Sequence, residues 1–478
     1  MKLNLRLISE KISTFFGATV NQVARQTKFV QRRSGLDGLK FMQALVFGFI
    51  EEPKASLNYL AQVCLDLGVK ITPQGIDERI NRYSVAFLRE MFSRAMETFK
   101  NSLPLPLEVL HRFTAINILD SSVKALPDNM VEEFPGCGGD GPQAALKVQL
   151  VFEFLYGNLQ QVALQAGREP DQAYRDYLAV VTAGSLTITD LGYFSVDAFE
   201  AIADKEAYFL SRYLSGTKVY TPAGEAIDLL RTLQSATTSS VDLDIRLGAR
   251  QRLPCRLVAV RVPQEVADRR RQKAIDNARR KGRTPSKAYL ALLDWTIFVT
   301  NAPAEMLAVP QVVALYRVRW QVELVFKLWK SYCGLGRIAG RRRERVLTEL
   351  YAKMIGIVLI HFLIAPLRMP AGAGANREIS PVQVRRILRR FARRLNLTLS
   401  GSRCLVHVLE EMVLHIGLFG FKQKRTKNPN VCHALDLVSG LFDLPEASSL
   451  EEALACLLYT SDAADEGLGV DLGGRRII

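Results

Sequence analysis

The sequence predicts an α/β protein, a mixed sheet with a β-rich insertion flanked by helical N-terminal and C-terminal regions, and three observations predict it. From Leu3 to about Arg112 apolar side chains recur every three or four residues, the period of an amphipathic helix. After Leu103-Pro104-Leu105-Pro106 short runs rich in β-branched and aromatic residues take over, each bounded by Gly, Pro or Asp. From Val309 the helical period returns and continues to about Pro445.

Taken in order, the N-terminal part contains one segment with helix-turn-helix spacing. Ser56 precedes LNYLAQVCLDLG, Gly68 closes it, and Thr72-Pro73 supplies an N-cap and a first-turn proline for a second helix, PQGIDERINRY. That helix could present Gln74, Arg79 and Arg82 to a DNA groove; two ordinary core helices would carry the same pattern. The strands TAINILD, LKVQLVFEFLY, LQQVALQAG, SLTITDLGYF and EAYFLSRYL follow, with a helical pattern near Tyr174 to Ala183 between them. Strand, helix and strand in succession indicate a mixed α/β sheet. Residues near 216–303 form a second β block with VDLDIRLGA, CRLVAVRV and DWTIFVTN, interrupted by the basic run Arg269 to Arg283, either a solvated helix or a phosphate contact. Met354 to Leu367 is apolar but shorter than the ~20 residues that cross a bilayer, and it carries His361, so it reads as a buried helix. Met369 to Pro381 reads as an exposed linker. Beyond it VQVRRILRRFARRL sets Arg385, Arg386, Arg389, Arg390, Arg393 and Arg394 against Val384, Ile387, Leu388, Phe391 and Leu395, a basic amphipathic helix suited to DNA backbone or to a partner helix.

A chain of 478 residues with 48% apolar content has the length of two or three domains and enough apolar material for packed cores. Its formal charge of +15, from 63 Lys and Arg against 48 Asp and Glu, makes a polyanion the first partner to consider. The seven cysteines lack a repeated CxxC or zinc-finger spacing and are expected to be buried, reduced thiols. Cys404 with His407, and Cys432 with His433, are half-sites without a second half. Lys2 and Arg6 are followed by Glu10 and Lys11 rather than by an apolar run, so no secretory signal is read, and a cytoplasmic protein away from membranes is expected. The stretch from Cys456 to Ile478 differs in character: it looks like the translation of sequencing-library adapter DNA and is set aside from fold reasoning. It carries four acids (Asp462, Asp465, Glu466, Asp471) against Arg475 and Arg476, so the body without it is more basic still.

Two carboxylates follow apolar runs: Asp120 after AINIL, and Asp190 after LTIT. Each is expected at the end of a buried strand, a rigid mount from which it can reach a ligand, although Asp also ends strands as a plain turn former. The segment YRVRWQVELVFKLWK carries Tyr316, Arg319, Glu323 and Lys330 at three-, four- and seven-residue steps, which place all four on one face of a helix. One acid beside two cations and a phenol could bring a metal-binding carboxylate and phosphate-binding groups to one DNA strand; a salt-bridged surface helix has the same spacing.

Together ILDSS, ITDLGYF, YFLSRY and the Tyr-x2-Arg-x3-Glu-x6-Lys signature, in that order over about Asn117 to Lys330, resemble the DDE transposases of the insertion-sequence-four family. The resemblance implies a ribonuclease H-like catalytic core over 113–350, its β-rich insertion at about 216–303, between a helical DNA-binding domain at 1–112 and a C-terminal helical region at 351–455 that could dimerise. It implies that Asp120, Asp190 and Glu323 hold two Mg²⁺ ions, with Mn²⁺ able to substitute, for in-line displacement at a phosphodiester. Arg212 in YFLSRY, with Tyr316, Arg319 and Lys330, would contact phosphates, and Trp295 would stack on a base turned out of the helix. The implied partners are the double-stranded ends of the element and target DNA, bound by a homodimer in a prokaryotic cytoplasm, at the nucleoid. The implied activity is cut-and-paste transposition by cleavage, hairpin formation and strand transfer. A catalytically silent DNA-binding relative and a metal-dependent nuclease unrelated to mobility are the alternatives.

Overall fold

The computed structural model describes residues 4–32, 34–138, 141–368, 379–401 and 404–422. Six helices open the chain: α1 (Leu5–Phe15), α2 (Ala18–Gln26), α3 (Gly38–Glu51), α4 (Leu57–Asp66), α5 (Pro73–Arg79) and α6 (Arg82–Thr98). The caps read from the sequence form: the Ser56 hydroxyl accepts from Tyr59 N and that of Thr72 from Gly75 N, while Gly68 takes the left-handed φ of +74° that ends α4. The second helix of the pair is shorter than predicted. Asn81 accepts from the backbone of Tyr83 and Ser84, and the Ser84 hydroxyl accepts in return from Asn81 N, so a capping box starts a new helix where PQGIDERINRY was expected to continue. Gln74 and Arg79 therefore lie on α5 and Arg82 on α6.

Next come β1 (Ile116–Ala125), β2 (Ala145–Glu153), β3 (Asn158–Ala166), β4 (Leu186–Thr189), α7 (Val196–Ala203) and β5 (Tyr208–Arg212). The helical pattern near Tyr174 is only a 3-10 turn over Asp176–Val180; the helix that crosses between strands is α7, capped by Ser195. The β-rich stretch then adds β6 (Val219–Tyr220), α8 (Leu229–Ser235), β7 (Ser240–Leu247), β8 (Leu253–Arg261), α9 (Gln264–Arg280), α10 (Lys287–Leu292) and β9 (Trp295–Thr300). The basic run is thus mostly helix α9. All the strands join one nine-stranded sheet in the order β3-β2-β1-β4-β5-β9-β8-β7-β6. β1, β2 and β3 are antiparallel, β1, β4 and β5 are parallel, and β9 pairs antiparallel with β5 and carries the rest of the insertion.

Side chains alternate across such a sheet, and they divide into two cores. Ile116, Ile118, Ile188, Leu210, Phe298 and Val258 join a large cluster that also holds helical residues from Ile8 to Ile416. Leu119, Val151, Phe209, Leu257 and Val299 face a second cluster with Phe199 of α7. The C-terminal helices are α11 (Val309–Val318), α12 (Trp320–Lys327), α13 (Arg343–Ile364), α14 (Pro381–Ser400) and α15 (Leu405–Phe419). Among the described residues one helix, α13 with the turn after it, is long and apolar enough to span a bilayer, yet 89% of its most apolar window is buried against α3, α6 and their neighbours. Its His361 accepts from Trp329 Nε1 at 2.7 Å, as a buried helix histidine needs.

The arginine stripe of α14 has its partner inside the molecule. Arg385 donates to Ile50 O at 2.6 Å, Arg389 to Glu51 O and to Glu52, and Arg393 to Asp66 at 2.8 Å. These are the carbonyls and acids at the C-terminal ends of α3 and α4, where helix dipoles favour cations. Cys64, Cys255 and Cys333 are buried as expected, but Cys137 and Cys404 are exposed, and the described cysteines are all free thiols. The linker lies almost wholly outside the described residues, as do Cys432, His433 and the segment from Cys456.

Candidate active site

Asp120 sits inside β1 rather than at its end, because β1 continues to Ala125 as the partner of β2. Its parallel partner stops earlier: β4 pairs with β1 only from Ile116 to Ile118. Asp120 therefore occupies the point where the parallel ladder ends although the strand does not. Ile118 is level with Ile188, so Asp120 and Asp190, each two residues further on, are level across β1 and the end of β4. Thr189 is level with Ser211, which brings Arg212 beside Asp190 in the same way, and Arg212 pairs with Phe298 on β9. The register thus draws one row, Asp120, Asp190, Arg212, Phe298. Alternation turns the row to the face of Ile118, Ile188 and Leu210, the large cluster, where Val322, Val325 and Phe326 of α12 pack and α12 meets β1.

Both aspartates are buried, Asp120 fully and Asp190 to 7% exposure. Each has one oxygen fixed by a backbone amide: Asp120 Oδ1 accepts from Ser121 N at 2.8 Å and Asp190 Oδ1 from Gly192 N at 2.9 Å. Gly192 leaves room for this, since a Cβ there would lie 3.0 Å from Asp190 Oδ1 and 3.5 Å from Asp171 Oδ2.

The signature segment covers this face, but not as one uninterrupted α-helix. Arg319 joins α11 to α12, and Leu328–Tyr332 forms a wider π-helical turn. Tyr316 is buried with its ring 5.1 Å from Phe298, so it stands over the end of the row. Arg319, 2% exposed, lies near the Tyr316 ring and donates to Glu323 Oε1 at 2.9 Å. The three- and four-residue steps hold as predicted. Lys330 lies within the π turn and is exposed, while Tyr316 and Arg319 are buried. Trp295 does not join the group. It starts β9 on the opposite face, in the second cluster, 5% exposed with the Arg261 guanidinium 4.7 Å above its ring.

Two adjacent carboxylates offer the hard oxygen donors that Mg²⁺ takes, and Mg²⁺ needs few protein ligands because it keeps waters and substrate phosphates. Glu323 is on the helix over the same face, with its carboxylate turned along that helix to Arg319. Among the described residues no three His, Cys, Asp or Glu side chains stand close enough to hold a metal together.

Behind the row lies a polar set the sequence reading missed. Gln149 and Lys147 pair with Ser121 and Val123 and so face away from Asp120. Lys147, 4% exposed, donates to Asp171 at 3.0 Å, and Gln149 Nε2 donates to the same carboxylate oxygen at 3.2 Å. The Tyr193 hydroxyl donates to Gln149 Oε1. Burial, with the nearby charges of Asp171, Asp120 and Asp190, holds that phenol well above its usual range. The available signal was the alternation of Lys147 and Gln149 with apolar residues in a strand that is otherwise apolar up to Glu153.

A family model described as a transposase DDE domain matches residues 112–359, the stretch that contains the row, the insertion and the signature segment. The chain belongs to the DDE transposase family. It is 25% identical to the transposase for insertion sequence element IS1151 of Clostridium perfringens over 467 residues, 92% of this chain and 98% of that one. It is 28% identical to the transposase for IS231F of Bacillus thuringiensis subsp. israelensis over 386 residues, 76% and 80% of the two chains. Against the transposase for IS231C of Bacillus thuringiensis subsp. berliner the identity is 27% over 402 residues, 79% and 83%. In this DDE transposase the similarity therefore runs well beyond the matched domain into the flanking helices.

Proposed function

We propose that this DDE transposase cuts and joins DNA at the Asp120–Asp190–Arg212 row, with Glu323 as the third acid, on a ribonuclease H-like core. The topology supports that core: an antiparallel β1-β2-β3 meander, with β4 and β5 added parallel to β1. The observation that carries the reading is the row itself, two level carboxylates beside an arginine under a helix that brings a further acid.

Asp120, Asp190 and Glu323 would hold two Mg²⁺ ions, for which Mn²⁺ could substitute. Bound there, such ions supply activation of water or a 3′-hydroxyl and charge neutralisation at the leaving oxygen. The protein's own groups orient the DNA. Arg212 and Arg319 offer forked donors to phosphate oxygens, the Lys330 ammonium a point charge, and the Tyr316 hydroxyl a further contact. Arg319 has a second task, holding the Glu323 carboxylate along α12. Trp295 can stack on a flipped base if the base takes the place of the Arg261 guanidinium over its ring.

The reaction we assign is cleavage at the element's ends, hairpin formation and opening, and transfer of the 3′-hydroxyl into target DNA. The N-terminal helices, 1–112, would grip end DNA, and the region 351–455 would pair two copies at the nucleoid. The test uses purified full-length protein and supercoiled plasmid carrying the gene with its flanking DNA. Glu323→Gln should bind that DNA as the parent does and lose cleavage by roughly a thousandfold, about 4 kcal/mol of barrier. Binding without cleavage by the parent as well would favour a silent binding protein, and nicks without hairpins or joined products would favour a plain nuclease.

A further inference from the structure

We infer that Lys147, Asp171, Gln149 and Tyr193 form a positioning relay that fixes the Asp120–Asp190 pair from the reverse side of the sheet; the inference rests on the catalytic role proposed for that pair. Each aspartate reaches the same amide by a short route. Asp190 caps the turn Leu191–Tyr193, whose last residue donates its hydroxyl to Gln149. Asp120 is followed by Ser121, which is level with Gln149 across β1 and β2 and whose side chain hydrogen-bonds the same phenol. Moving Gln149 or Tyr193 therefore shifts the backbone on which both carboxylates are mounted.

The chemistry of the set argues against mere filling of space. A strand buried along its whole length, as β2 is, gains most from apolar side chains, and an ammonium is costly there unless paired. Lys147 is paired, with Asp171 and with Glu169 O. Its charge offsets that of Asp171, so a third carboxylate beside Gly192 adds little net negative potential to the pair. Tyr193 and Gln149 then convey the position of this neutralised pair to the row through directional hydrogen bonds, in a dry interior where such bonds hold geometry firmly. None of the four needs to touch DNA; they act through Asp120 and Asp190, as groups behind metal ligands commonly do.

The full-length chain and its Tyr193→Phe, Asp171→Asn and Asp190→Asn variants are titrated with Mn²⁺, following loss of the free-ion electron paramagnetic resonance signal. The same proteins are assayed for nicking of the plasmid described above across a Mg²⁺ series. Tyr193→Phe and Asp171→Asn should each bind Mn²⁺ roughly tenfold more weakly, bind DNA normally, and regain part of their nicking at high Mg²⁺. A protein carrying both Tyr193→Phe and Asp171→Asn should be little worse than the worse of the two single variants, as expected of members of one unit. If Asp190→Asn is inactive while Tyr193→Phe and Asp171→Asn match the parent at every metal concentration, the relay is overturned and the catalytic reading stands. If Asp190→Asn nicks like the parent, both fall together. Should Tyr193→Phe fail to fold in thermal unfolding, Asp171→Asn decides alone, since that side chain is 23% exposed and the amide oxygen can still accept from Lys147 and Gln149.

Discussion

Two halves of one sheet meet between β5 and β9, and the same row reads differently on either side. On β1, β4 and β5 it is Asp120, Asp190 and Arg212; one strand further it continues as Phe298 and then Val258. The face is shared, and Asp120 and Asp190 are buried as Phe298 and Val258 are, so burial alone does not separate the halves. What differs is strand direction. The parallel strands β4 and β5 stop at Thr189 and Arg212, leaving an open carboxyl edge of the kind where α/β sheets bind ligands. The antiparallel strands of the insertion stay hydrogen-bonded past that level and close it with apolar side chains. The insertion therefore acts as a wall beside the site, joined to it through Phe298 and Tyr316.

Neighbouring residues on β9 give the strongest test of that wall. Phe298 faces the site side and is 2% exposed, whereas Ile297 faces the second core and is 6% exposed. Phe298→Ala should cost about 3–5 kcal/mol in urea unfolding and also lower plasmid nicking roughly tenfold, because Tyr316 loses its support. Ile297→Ala should cost about 2–5 kcal/mol with nicking per folded molecule unchanged. Equal effects on nicking would mean that the insertion supports the site only through general stability.

Glycines sharpen the contrast at smaller scale. Gly192 lies against Asp190, where a Cβ would sit 3.0 Å from Oδ1, and Gly248 at the β7–β8 turn has a φ of +86° with a Cβ position 3.1 Å from Val196. Gly192→Ala should lower nicking roughly tenfold by moving the carboxylate, with little loss of stability. Gly248→Ala should do the reverse, costing about 1 kcal/mol or more in backbone strain without slowing nicking of the folded protein. A Gly192→Ala protein that nicks at the parent rate would show that Asp190 tolerates displacement and that the row is less exact than its register implies.

Legibility followed the same division. Strands, caps and the apolar runs leading into Asp120 and Asp190 were readable because apolar runs and turn formers are local signals, and the ordered motifs pointed to the family. Asp120 was misplaced at a strand end because a sequence does not show that β1 outlasts β4 as the partner of β2. The π turn that contains Lys330 leaves no mark in a three- and four-residue pattern. The arginines of α14 looked available to DNA, and only packing shows three of them bonded to the ends of α3 and α4. Asp171 was missed because its partners, Lys147 and Gln149, lie two strands away from the motif that contains Tyr193.

The smallest expected effect concerns the surface seam between the halves. Arg250 and Gln251, on the β7–β8 turn, both donate to Asp197 at the start of α7, the helix that links β4 to β5. Their geometry invites a role in holding the insertion to the half that carries the Asp120–Asp190–Arg212 row. Yet the ion-pair side chains are 83% and 58% exposed, and water competes for both. The side-chain hydrogen bond from Gln251, ahead of the Arg250 charge, holds the Asp197 carboxyl below its ordinary range, so a glutamine already supplies much of what that carboxylate needs. Arg250→Ala should therefore leave the thermal midpoint and the nicking rate indistinguishable from the parent. A clear drop in either would place the join between the halves at this seam instead of in the buried contact of Phe298 with Tyr316, and the wall would have to be redrawn as a hinged flap.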